Sequence, residues 1–149
     1  MIQRIQTVFL LLAAGALAGQ FAFPYLQTPA ENPARALPAM ADGALNPLDN
    51  PGLLGLTILG MALALAAIFR FKNRTTQARL ALAGVVSGIF LLALAVFTTK
   101  TTLDQTPMGG SAQFAFGLAL PLLALALNWL AARAIRKDEA LVRSMDRLR

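Results

Sequence analysis

The 149-residue sequence contains no cysteine and no histidine. Those absences remove disulfides, thiolate nucleophiles, Cys/His zinc sites, histidine-ligated haem and histidine acid–base catalysis. Charge is scarce as well. Asp, Glu, Lys and Arg make up 13% of the chain, about half the usual share, whereas 57% is hydrophobic and the mean hydropathy is +0.62. A water-soluble domain of this length must cover its core with a polar shell. Here 13 basic and 7 acidic side chains are gathered into a few clusters and cannot furnish one. A soluble globular domain, a disordered chain and a fibrous repeat are therefore excluded, and an all-α integral membrane protein is expected. The net charge of +6 would point to nucleic acid in a soluble protein. These cations flank apolar stretches, so no nucleic-acid partner is expected.

Four apolar stretches approach the roughly 20 residues needed to cross a hydrocarbon core of about 30 Å. They run over residues 5–23, 53–69, 80–98 and 113–132. None alternates in polarity, and backbone groups in lipid must be paired within their own segment, so each is expected to be a helix. Residues 24–52 hold Pro24, Pro29, Pro33, Pro38, Pro47 and Pro51, which predicts an extended, turn-rich loop. Residues 70–79 are short and basic. Residues 99–112 are Thr-rich and then pass through Pro107, Met108, Gly109 and Gly110, a turn signal. Residues 133–149 form a basic, amphipathic tail; read as one helix with the fourth stretch, it would project into the cytoplasm or turn along the membrane surface.

The Lys and Arg distribution sets the expected orientation. Arg4, Arg70, Lys72, Arg74, Arg79, Arg133, Arg136, Lys137, Arg143, Arg147 and Arg149 fall on one side, and only Arg35 and Lys100 on the other. Both termini are thus expected in the cytoplasm, with residues 24–52 and 99–112 facing the periplasm or exterior. Trp129 and Tyr25 fit interfacial anchors at opposite ends. Residues 1–18 also read as a signal peptide, with Arg4, an apolar core and an Ala16-Leu17-Ala18 cleavage pattern. The apolar run continues to Phe23, which favours retention as a first span.

The opening MIQRIQTVFLLLA, the loop FKNRTTQARL and the closing LAARAIRKDEALVRSMDRLR are not generic membrane sequence. Together they resemble an uncharacterised family of small four-helix bacterial membrane proteins, the domain-of-unknown-function family 4293. The resemblance covers essentially the whole chain. It is concentrated at Met1–Thr7, at Lys72-Asn73-Arg74 with Gln77, Arg79 and Leu80, and from Phe116-Gly117 to Arg149. It implies a four-helix fold in a membrane with the first helix retained, and it supplies no activity, cofactor or catalytic residue. The proline-rich loop carries none of it.

No Asp, Glu, Lys or Arg lies inside a span. Intramembrane ionisable groups mark proton relays and voltage sensors, so neither is expected, and no catalytic residue, metal site or cofactor is assigned. The polar residues in or near spans are Gln3, Gln6, Thr7, Gln20, Thr57, Ser87 and Asn128. Gln3 and Gln6 share a helical face and are read as anchoring the first helix. Asn128 is read as a hydrogen-bonding link between helices. Gly15/Gly19 and Gly84/Gly88 are small pairs at four-residue spacing, which serve either packing inside the bundle, the favoured reading, or a dimer face. Pro121 falls mid-span in the fourth stretch and predicts a static kink, with Gly117 one turn earlier making room for it.

The tail carries an apolar stripe of Leu141, Val142, Met145 and Leu148 opposite Arg136, Lys137, Glu139, Arg143 and Arg147. The stripe either lies on anionic lipid or packs on the protein itself, the favoured reading, or docks on a partner protein. The residues assigned to that contact are Arg136, Lys137, Asp138, Glu139, Leu141, Arg143, Met145, Asp146 and Arg147. The leading function is a non-enzymatic scaffold or accessory subunit of an inner-membrane assembly, with the lipid bilayer, a membrane protein or a second copy as partner. An oligomeric channel or uncoupled carrier for a small solute is the alternative, and an enzyme acting on lipid comes third.

Overall fold

A computed structural model describes residues 2–31, 33–106 and 113–146. Four helices carry the chain: α1 (Ile2–Gly19), α2 (Pro51–Phe69), α3 (Arg74–Gln105) and α4 (Ala119–Asp146). Each packs on two neighbours, α1 on α2 and α4, and α3 on α2 and α4, which closes a four-membered ring. Three of the helices are long and apolar enough to cross a membrane: Pro51–Phe69, and stretches within Arg74–Gln105 and Phe116–Val142. The apolar part of α1, Ile5–Gly19, is shorter.

Local chemistry explains the helix boundaries, and several depart from the sequence expectation. Asn50 caps α2 by accepting from Gly52 N (2.8 Å) and Leu53 N, with Pro51 at the first helical position, where a missing N–H costs nothing. Asn73 caps α3 by accepting from Thr76 N at 3.0 Å. The third helix was expected to stop near residue 98, yet it continues to Gln105. Its threonine hydroxyls donate to the helix's own carbonyls: Thr101 and Thr102 to Thr98 O, and Thr106 to Thr102 O, each at 2.9 Å. A polar side chain satisfied that way does not need a loop.

The first helix ends at Gly19 rather than continuing to residue 23, because residues 20–23 turn back on it through Phe23 N to Gly19 O (2.9 Å). The fourth starts at Ala119, not 113. Pro121 therefore sits in the first turn of α4, where no intrahelical donor is needed, and the expected mid-span kink is corrected. The charged tail continues the fourth helix: α4 runs unbroken through residues 133–146.

The proline-rich segment is not simply extended. With the entry to α4 it builds a small cap over one end of the bundle. Strand β1 (Leu26–Gln27) lies between β2 (Ala44–Leu45) and β3 (Gln113–Phe114), antiparallel to both. Leu26 pairs with Leu45 on one side and Phe114 on the other. Short 3-10 turns at Pro33–Ala36, Pro38–Met40 and Pro47–Asp49 use the prolines. The turn into β2 needs Gly43 at φ +83°, a conformation L side chains avoid. Tyr25, Leu26, Met40 and Leu45 are fully buried there, in one cluster with Leu17, Leu53, Leu91 and Ala95 of the helices. A second cluster, Leu10, Ala67, Ala78, Ala81, Ala131 and Ile135, fills the opposite end, where α1 begins and α4 ends.

The Tyr25 hydroxyl donates to Gln20 Oε1 beneath the cap. Burial pushes its pKa up, beyond the ordinary tyrosine value near 10. A group whose folded pKa is raised lends stability that is intact below its unfolded pKa and is lost as pH climbs above it. The chain has a single tyrosine. Phenolate absorbance of the detergent-solubilised protein is therefore expected to stay absent above about pH 10 and to emerge together with loss of helical signal. Ionisation at the free-tyrosine pH with helicity intact would contradict the buried placement.

Candidate functional site

The segments that look distinctive in the sequence meet at the uncapped end. The start of α3 lies against the last third of α4. Arg74 Nη1 stands 3.2 Å from Asp138 Oδ2 and also reaches the Asp138 carbonyl oxygen at 3.5 Å. Asp138 Oδ2 has no aligned hydrogen bond, so the pair is held by charge proximity. Thr75 Oγ1 donates to Glu139 Oε1 at 3.1 Å. Both carboxylates thus approach the first turn of α3, whose unpaired N–H groups favour negative charge. The Arg74 and Asp138 side chains are 30% and 13% exposed, so the pair is worth about 1 kcal/mol at most. A double-mutant cycle of Arg74→Ala and Asp138→Ala, followed by thermal unfolding, is expected to return a coupling of about 0.5–1 kcal/mol. Strict additivity of the two losses would mean that the two helices are not tied there.

This arrangement sorts the tail's charges. Asp138 and Glu139 are half-buried toward α3, whereas Arg133, Arg136 and Lys137 are exposed. Leu141 is 46% exposed. The backbone of α4 extends through Arg143, Met145 and Asp146, but those side chains, and all of Arg147 and Leu148, lie outside the described residues. Of the predicted contact residues, the structure brings Asp138 and Glu139 onto α3 and leaves Arg136 and Lys137 outward.

Sequence reasoning named Trp129 and Arg136 separately but did not foresee the groove they share. Trp129, Ala132, Arg133 and Arg136 of α4 and Leu82 of α3 line a groove of about 180 Å³. The Arg133 guanidinium lies 5.5 Å from the Trp129 ring centroid, a cation–π contact. The spacing of 129, 132, 133 and 136 was the available signal, since it places all four on one helical face.

The predicted packing residues divide. Gly84 and Gly88 are buried and face α4: a Cβ on Gly84 would lie 3.1 Å from Asn128 Oδ1, and one on Gly88 3.4 Å from Leu125 Cβ. The second pair therefore packs within the bundle. The first is not one surface. Gly15 is exposed and a Cβ there meets nothing within 4 Å, while Gly19 packs against Leu120 of α4. Gly117 makes no room for a kink. It lets the chain before α4 touch the backbone of Phe23 and Pro24.

Along the bundle interior, Gln6, Gln20, Thr57, Ser87, Thr99 and Asn128 are all buried, and each has one polar atom with no hydrogen-bond partner. Asn128 reaches α3 at Gly84, but its Oδ1 makes none of the interhelical hydrogen bonds expected of it. Gln77 is also buried, one turn into α3. Among the described residues no cluster of three or more acidic, Cys or His side chains is placed to hold a metal.

A family model, the domain of unknown function DUF4293, matches residues 2–148. The chain belongs to this family. The match spans every element described above, the cap included. No curated protein and no solved structure matches the chain. This DUF4293 chain is a four-helix ring, capped at one end and cationic at the other.

Proposed function

We propose that this DUF4293 protein is a multi-pass protein of the bacterial inner membrane, with both termini in the cytoplasm, acting as a non-enzymatic scaffold or accessory subunit of a larger assembly. The observation that carries this reading is the separation of its surface. The helix flanks expose large apolar side chains, among them Leu12, Ile58, Phe90, Phe97 and Leu122, at 53–64%. Such a belt is suited to lipid and not to water. The exposed cations Arg70, Lys72, Arg79, Arg133, Arg136 and Lys137 collect at the end where α1 begins and α4 ends. The shorter apolar stretch of α1 is compatible with a span, because α1 supplies Leu10, Ala13 and Leu17 to the core and its removal at Ala18 would open the ring.

An α4 that continues past its apolar part, tied to α3 through Asp138 and Glu139 and with Arg133, Arg136 and Lys137 exposed, supports a contact role for this end. The absence of ionisable side chains from the predicted spans supports a non-enzymatic one. Co-purification from native membranes after mild solubilisation tests the assembly: a reproducible set of membrane partners is expected, and recovery of the lone chain would overturn it. Reporter fusions near Asn73 and after Arg149 test the orientation, with cytoplasmic signals expected from both. The buried unpaired polar atoms of Gln6, Thr57, Ser87 and Asn128, one from each helix, favour a second reading as a conduit for a small solute. Solute flux into liposomes no faster than into empty vesicles would remove it.

A further inference from the structure

We propose that the groove between α3 and α4 binds the phosphate of an anionic phospholipid. The inference rests on the membrane reading above and adds a specific ligand to it. Arg133 and Arg136 stand at the groove one turn apart, each presenting a guanidinium. Guanidinium groups suit phosphate oxygens because their planar fork donates two parallel hydrogen bonds. Neither arginine has a carboxylate partner among the described residues. Of the acidic side chains described after them in α4, Asp138 pairs with Arg74 and Glu139 accepts from Thr75. The positive charge at the groove is therefore uncompensated.

The rest of the lining selects the kind of anion. Leu82 and Ala132 form apolar walls, and Trp129 lies one turn further from the cationic end, beneath Arg133. Val86, one turn beyond Leu82 on the same face of α3, is 52% exposed and offers apolar surface on that face, further from the cationic end. An occupant must carry an anion at one end and hydrocarbon at the other, at the depth where tryptophan sits in a membrane interface. A phospholipid meets both conditions. Free inorganic phosphate meets only the first.

Trp129 is the only tryptophan in the chain, so its fluorescence reports on this groove. The full-length protein is reconstituted in mixed vesicles in which either phosphatidylglycerol or phosphatidylcholine carries brominated acyl chains. Quenching by the brominated anionic lipid is expected to correspond to a relative affinity about fivefold or more above that of the zwitterionic lipid. The double variant Arg133→Gln/Arg136→Gln is expected to bring that ratio close to one. Arg70→Gln/Lys72→Gln, which removes two exposed cations from the α2–α3 turn, is expected to leave it unchanged. Equal quenching in the wild type overturns the proposal. So does an excess that survives in the arginine variant, or one that falls equally in both variants, which would mean diffuse attraction. Loss of the excess on adding millimolar inorganic phosphate at constant ionic strength would reassign the site to a free anion. No quenching by either brominated lipid would instead defeat the membrane reading itself.

Discussion

Gly117→Ala is expected to lower the thermal unfolding midpoint of the detergent-solubilised protein by about 10 °C, corresponding to roughly 3 kcal/mol. Gly117 precedes α4 in a 3-10 turn and donates its N–H to Pro24 O at 3.0 Å. A Cβ at this position would overlap the carbonyl oxygens of Phe23 and Pro24 and stand 2.6 Å from the Pro24 carbonyl carbon. Side chains can rotate out of such a contact, but these are backbone atoms tied into the cap. Two residues earlier, Ala115 N donates to Tyr25 O at 3.0 Å, and Tyr25 N donates to Leu45 O at 2.8 Å. Shifting the chain at 23–24 therefore strains the β1–β2 and β1–β3 pairings together and uncovers Tyr25 and Leu26, both fully buried. Overpacking and lost hydrogen bonds add in the same direction. Gly55→Ala is the control, since a Cβ there meets nothing within 4 Å. Circular dichroism melts check the pair of variants. A Gly117→Ala midpoint within about 2 °C of wild type would mean that the cap does not depend on this close approach.

The number of helices and their approximate places were legible because long apolar runs have few other solutions. Their ends were less so. Hydropathy treats Thr98 to Thr106 as polar and ends a span there, whereas the threonine hydroxyls bond back to carbonyls of the same helix. Pro121 looked central because the fourth apolar run was counted from residue 113. Once Gln113 and Phe114 pair with β1, the same proline stands in the first turn. That pairing joins residues more than 80 positions apart, and no local pattern announces a two-residue strand. The cap was hidden for the same reason: its prolines predict turns correctly but do not say that the turns fold onto Leu53 and Leu91.

The tail was legible as amphipathic, and its importance as a surface was visible in its charge. Its partner was not. Asp138 and Glu139 meet Arg74 and Thr75 across 64 positions of sequence. The cationic groove depends on that meeting, because it takes the acids away from Arg133 and Arg136. Helical spacing alone gives the face, and only the neighbouring helix decides which charges remain unmatched.

The two glycine pairs make the same point with the second large effect. Gly88→Leu is expected to destabilise the bundle by about 3 kcal/mol, while Gly15→Leu changes its stability by no more than about 0.5 kcal/mol. The sequence spaces Gly15 from Gly19 as it spaces Gly84 from Gly88, and spacing cannot separate them. At Gly88 a Cβ would stand 3.4 Å from Leu125 Cβ and 3.6 Å from Leu125 Cα. Alanine fits that distance as ordinary contact, so Gly88→Ala is expected to be nearly silent. Leucine would extend further atoms into the α4 backbone and force α3 and α4 apart, loosening the contact that also seats Asn128 against Gly84. Gly15 is exposed with open space beyond it, so a leucine there adds apolar surface where the belt is already apolar. Melting of the three variants in detergent checks the ordering. If Gly15→Leu proved as damaging as Gly88→Leu, α1 would have to pack through Gly15 against something other than its own bundle, and a second copy of the chain would be the first thing to look for.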